Sequence, residues 1–122
     1  MGYVSYIPYA RLSCSVKNGK NSYNIRFSPF ATRLIGDVKN VDVLKTNNNK
    51  YIVLVPRNEL DTKPGVSKLK VYSGCAYLFS TGRVNQQFFR SEWFDGRKVK
   101  IKRRKNDNSI WICLEERIND GQ

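Results

Sequence analysis

The chemically densest stretch of this chain runs from Arg97 to Lys105, RKVKIKRRK, where seven of nine residues are basic and Val99 and Ile101 alternate with lysines. Lysine supplies a compact point charge and arginine a planar fork that matches the oxygens of phosphate or carboxylate. Alternation with period two makes the stretch a β-strand with an apolar face and a cationic face. Lys98, Lys100 and Lys102 share the cationic face, and Arg97, Arg103, Arg104 and Lys105 extend it at its ends. Such a strip neutralises a polyanion. A lysine-rich edge strand, charged to resist pairing with another sheet, carries the same pattern.

The rest of the composition narrows the chemistry. There is no histidine, and the three cysteines, Cys14, Cys75 and Cys113, are scattered. Without a CxxC pair or clustered carboxylates, zinc sites and Ser-His or Cys-His catalysis have nothing to build on. The expectation is a non-enzyme with no cofactor, no metal and three reduced, buried thiols. Twenty-two Lys and Arg against ten Asp and Glu leave a formal charge of +12, spread as +5 over residues 1–61 and +7 over 62–122. That much charge costs self-repulsion and is usually kept for an anionic partner. Nucleic acid, duplex DNA ahead of RNA, or an acidic protein surface fits. No apolar run approaches the roughly 20 residues of a membrane span, and no signal-peptide pattern opens the chain. A cytoplasmic protein without a membrane partner is expected.

At 122 residues the chain suits one compact domain. Leu12, Cys14 and Val16 alternate with polar residues, Asn18-Gly19 supplies a tight turn, and Tyr23, Ile25 and Phe27 return. Ser28-Pro29 reads as an N-cap and first helical residue, opening a short helix through Leu34 and Ile35 that Gly36 ends. Val41–Leu44 and Tyr51–Val55 form a second hairpin, stopped by Pro56. The polar segment 57–66, containing Pro64-Gly65, reads as a linker. Beyond it come strands over 69–72 and 76–79, a second short helix over 85–94, and strands over 98–102 and 110–114.

The order hairpin, helix, hairpin thus occurs twice, in residues 1–56 and 67–117. The fold class expected is mostly β with two short helices, a small barrel built from two repeats. Its core should hold Leu12, Ile25, Phe27, Val43, Val53, Val84, Phe89, Val99, Ile101 and Ile112. Of the fifteen aromatic residues, Tyr51 and Trp111, which open the last strand of each unit, are the candidates for stacking on bases.

In the second unit Ser80-Thr81-Gly82-Arg83-Val84 leads through QQFFRSEWF to Asp95-Gly96 and then to a hairpin. Residues 76–115 resemble the AbrB/SpoVT-type swapped-hairpin domain, in which a G-[RQ]-V strand precedes a short helix, a glycine and two strands. The usual Ile-Pro after the valine is Asn85-Gln86 here, and the first unit has Asn24-Ile25-Arg26 in place of G-[RQ]-V. The resemblance implies interlocked hairpins that bind DNA across one face, formed by one chain or by a homodimer. By position it implies that Arg83 and Arg26 are the basic residues ahead of each helix that read DNA. The leading function is therefore a small DNA-binding transcriptional regulator. The alternative is a small basic phage-type accessory or inhibitor protein, such as one that docks on a CRISPR effector or its guide RNA.

Overall fold

Residues 7–57, 66–79 and 89–118 are described by the computed structural model. They form eight strands: β1 (Tyr9–Lys17), β2 (Lys20–Phe27), β3 (Asn40–Lys45), β4 (Tyr51–Arg57), β5 (Val66–Tyr72), β6 (Cys75–Phe79), β7 (Asp95–Arg103) and β8 (Ile110–Arg117). One α-helix, α1 (Pro29–Ile35), joins β2 to β3. All strand pairs are antiparallel, and the order β1-β2-β6-β5-β3-β4-β8-β7 closes into a barrel. Advancing every strand by four, β1 to β5 and so on, leaves this neighbour order unchanged.

The alternation in the sequence becomes the inside and outside of that barrel. Ala10 and Leu12 of β1, Ile25 and Phe27 of β2, Ala76 and Leu78 of β6, Val99 and Ile101 of β7 and Ile112 and Leu114 of β8 share one buried cluster. Their sequence neighbours project outward, as the pleat requires. The hairpin turns are local in origin. Asn18 (φ 53°) and Gly19 (φ 75°) adopt the left-handed pair that matches the twist of flanking strands, and Ser73 (φ 51°) and Gly74 (φ 80°) repeat it between β5 and β6. The longer loops of the β3–β4 and β7–β8 hairpins each carry a left-handed asparagine, Asn49 and Asn108.

Helix α1 is fastened to the barrel at three points. The hydroxyl oxygen of Ser28 accepts from the Ala31 N–H at 3.2 Å, as an N-cap, and from the Tyr9 N–H of β1 at 3.2 Å. Thr32 Oγ1 accepts from the Ala76 N–H of β6 at 2.8 Å. At the C-terminus Gly36, at φ 68°, turns the chain away, and Arg103 reaches in from β7. The helix buries Ala31 and Ile35.

Several expectations change. Of the helix expected over 85–94, residues 85–88 lie outside the described residues, and 89–94 contain a 3₁₀ turn, Ser91–Trp93, preceded by an extended Arg90. Phe89 is nevertheless buried, its ring 5.7 Å from Tyr23 and 5.1 Å from Phe94. Val53 is buried but points out of the barrel, because Ile52 and Leu54 on either side take the inward positions. Pro56 does not stop β4: it pairs with Val41, beyond the last β4–β8 pair at Leu54, where a missing N–H is tolerated. The edge-strand reading of the lysines fails too, since β7 is paired on both sides, with β1 and β8. Val84, Arg83 and most of the linker, 58–65, lie outside the described residues.

Because Ser28 serves two backbone donors at once, Ser28→Ala removes a cap and leaves the Tyr9 N–H without its acceptor. A loss of about 1–2 kcal/mol is expected, read from the midpoint of a urea unfolding curve.

Candidate nucleic-acid interface

Strand β7 carries the cationic strip, and the structure sorts its members. Val99 and Ile101 point into the core, 0% and 5% exposed. Two of the arginines are spent on the fold. Arg97 donates from Nε to Asp95 Oδ1 at 3.0 Å, from Nη2 to the Glu92 carbonyl at 2.8 Å and from Nη1 to the Leu114 carbonyl at 3.3 Å. Asp95 also pairs with Arg117 at 3.2 Å, and the hydrogen bond from Arg97 holds its carboxyl below the ordinary carboxylate range. Arg103 donates from Nη1 to the carbonyls of Leu34 at 2.6 Å and Ile35 at 2.9 Å. These are end carbonyls of α1 with no intrahelical partner, so a cation there satisfies acceptors and the helix dipole together.

The other cations face outward. Lys98 Nζ lies 5.0 Å from the ring centre of Tyr9. Lys102 sits 3.6 Å from Glu116 in a half-exposed pair, which in water contributes little. Lys100, Arg104 and Lys105 are exposed. No salt bridge holds any of these last three among the described residues.

Tyr51 and Trp111 do come together. Strand β4 pairs with β8, with Val53 opposite Trp111 and Tyr51 opposite Cys113, so the two rings are diagonal neighbours 5.2 Å apart at 68°. Trp111 Nε1 donates to Ser109 Oγ at 2.8 Å, and Ser109 Oγ donates to Asp107 Oδ1 at 2.6 Å, which fixes the indole before any ligand arrives. The hydrogen bond from Ser109 keeps the Asp107 carboxyl low. Arg104 lies over the indole at 5.2 Å. Tyr51, Trp111, Lys102 and Arg104 line a cavity of about 280 Å³. Two aromatic rings and two cations thus share one notch.

Arg26 faces outward on β2, far from that notch, and donates to Cys75 Sγ at 3.8 Å. It belongs to a row the sequence reading missed. Across adjoining strands, Lys98 of β7 lies opposite Arg11 of β1, Arg11 opposite Arg26, Arg26 opposite Tyr77 of β6, and Tyr77 opposite Lys70 of β5. Directly opposed residues share a face; Arg11, Arg26 and Tyr77 have core residues on both sides along their strands, and Lys98 and Lys70 have one each, Val99 and Leu69. The row therefore runs along the outside. Arg11 lies between the core residues Ala10 and Leu12, and Lys70 follows the core residue Leu69, which marks both as outward. Their adjacency follows only from the pairing of β1, β2, β6 and β5.

The thiols divide differently from expectation. Cys14 is half-buried, whereas Cys75 and Cys113 are buried, though on the outer side of their strands and outside the core cluster. Burial, aided by a hydrogen bond to the Glu116 carboxylate, pushes the Cys113 thiol up to about 12. Compared with family models, curated proteins and solved structures, the chain matches none.

Two outcomes are expected. Arg103→Ala destabilises the fold by about 1–3 kcal/mol by stripping the helix carbonyls of a charged donor, while the salt dependence of any anion binding stays as in the parent. With limiting iodoacetamide at neutral pH, mass spectrometry finds Cys14 alkylated first and Cys113 only after unfolding, because a thiol raised to about 12 holds almost no thiolate.

Proposed function

We propose that this protein binds nucleic acid on the outer face of the barrel. The observation that carries this reading is the placement of Lys100, Lys102, Arg104 and Lys105 along one exposed side of β7 and its turn, beside the Tyr51–Trp111 notch. Phosphates supply the affinity, and a base presented to the notch meets an indole whose orientation is already fixed. Charge of +12 raises the encounter rate with any polyanion.

The finer proposal is a DNA-binding regulator of swapped-hairpin type made from a duplicated unit. The neighbour order that is unchanged when each strand is advanced by four supports duplication. So do the turns, since Asn18-Gly19 recurs as Ser73-Gly74 and Asn49 as Asn108. Duplex DNA is the polyanion this proposal favours.

The test is a titration of duplex DNA, single-stranded DNA and structured RNA at two salt concentrations. Each phosphate neutralised contributes about 0.9 to the slope of log K against log salt on duplex DNA. Replacing Lys100, Lys102 and Arg104 with glutamine should flatten that slope by roughly 2 to 3 while the fold survives. A folded triple variant that binds as the parent does removes this strip from the site. Absence of binding by the parent in every titration sinks the reading and leaves an acidic protein surface as the partner.

A further inference from the structure

On strand β6 two outward side chains, Tyr77 and Phe79, hold their rings nearly parallel, 4° apart in plane with centroids 5.8 Å apart. Tyr72 of β5 leans on the far side of Tyr77, its centroid also 5.8 Å away. None of the three belongs to the core cluster. Arg26 lies opposite Tyr77 in the β2–β6 register, and its guanidinium is steadied by Cys75. The shelf of rings thus sits inside the row that begins at Lys98 and ends at Lys70.

We infer that this row is a binding track for an unpaired nucleic-acid strand, with bases stacking on Tyr77 and Phe79 and phosphates meeting Arg11, Arg26 and Lys70. The inference rests on the broad nucleic-acid reading alone and stands against the duplex-DNA regulator in which form of nucleic acid the outer face takes.

Three physical arguments point to a single strand. In a duplex the base faces are already stacked on each other, so outward, half-buried rings such as Tyr77 and Phe79 have little to offer it; an unpaired base gains a partner for its π-face. Shape acts in the same direction. The row crosses five strands, about 19 Å at roughly 4.8 Å per strand, over the convex outside of a closed barrel. A flexible strand follows that curve, whereas a duplex with a persistence length near 50 nm meets it over a short arc. The third argument is charge. Arg11, Arg26 and Lys70 form no salt bridge among the described residues, and the row contains no carboxylate. Beyond Lys70 the cations continue, since Lys39, Lys68 and Lys70 with Asn40 and Leu69 line a second cavity of about 280 Å³.

The experiment is fluorescence anisotropy with a labelled oligothymidylate and with a hairpin duplex of equal length. The parent should bind the single strand more tightly than the duplex. The double variant Tyr77→Ala, Phe79→Ala should lose roughly tenfold or more in single-strand affinity with an unchanged salt slope and unchanged duplex binding. Tyr77→Phe should stay within about twofold, because it keeps the ring. Arg11→Gln with Arg26→Gln should instead flatten the single-strand slope by about 1.4. Circular dichroism and urea unfolding establish that each variant is folded. Should the double alanine variant not fold, photocrosslinking of a 5-iodouridine oligonucleotide to the parent decides: adducts at Tyr77 or Phe79 support the track, and adducts confined to Tyr51 and Trp111 overturn it. A folded double alanine variant with parental single-strand affinity also overturns it. Failure of the parent to bind any nucleic acid removes the underlying reading, whereas equal, ring-independent binding of both forms removes the track alone.

Discussion

Closure of the sheet is the constraint on which the rest of this molecule depends. Each of the eight strands buries one face in a common apolar core, and joining β7 to β1 leaves no edge strand among the described residues. The consequence for function is geometric. A closed barrel of this size fills its interior with side chains, here Leu12, Ile25, Phe27, Ile52, Leu54, Val99 and Ile112 among others, so the polar and charged side chains of the strands lie on the outside. All outward side chains stand on paired strands, which hold them at fixed spacing. A charge on such a lattice is presented at a set distance from its neighbours.

The same lattice divides the cations by what they can reach. Arg97 and Arg103 sit where β7 begins and ends, within reach of backbone carbonyls: those of Glu92 and Leu114 for the first, and of Leu34 and Ile35 for the second. A guanidinium with several donors satisfies such groups better than an ammonium can. Between them Lys98 lies over the Tyr9 ring, whereas Lys100 and Lys102 are exposed, Lys102 in a half-exposed pair with Glu116. Chemical type and position together therefore explain why the arginines at the ends of the strip hold the fold while Lys100 and Lys102 do not.

Two aromatic features mark the outer face, and they differ in character. At Tyr51 and Trp111 the rings meet edge to face, and Arg104 already covers the indole, so a ligand there must share or displace that cation. On β6 the Tyr77 and Phe79 rings lie parallel beside Arg26. One is a notch for a single group and the other a shelf along a row. Strands β1, β2, β6 and β5 connect the shelf to β7, through Lys98, so notch and row flank the same lysine strip.

The amino-acid sequence by itself determined the features that arise within a few residues. Period-two alternation set the inward faces of β1, β2 and β7; Asn18-Gly19 set a turn because its left-handed pair needs little steric tolerance from other residues; Ser28-Pro29 set the start of α1 because the cap bond spans three residues. Even there local pattern had limits. Val53 alternates with nothing in the run Ile52-Val53-Leu54, so its outward direction was hidden, and the segment ending at Phe94 kept only a single 3₁₀ turn among its described residues. The tertiary structure alone decided which side chains became neighbours. Arg103 caps a helix 69 residues away, and Arg26 stands opposite Tyr77 only because β2 pairs with β6. Contacts of that separation depend on how hairpins order themselves around a barrel, a choice set by burial of the whole core at once, and no local spacing encodes it.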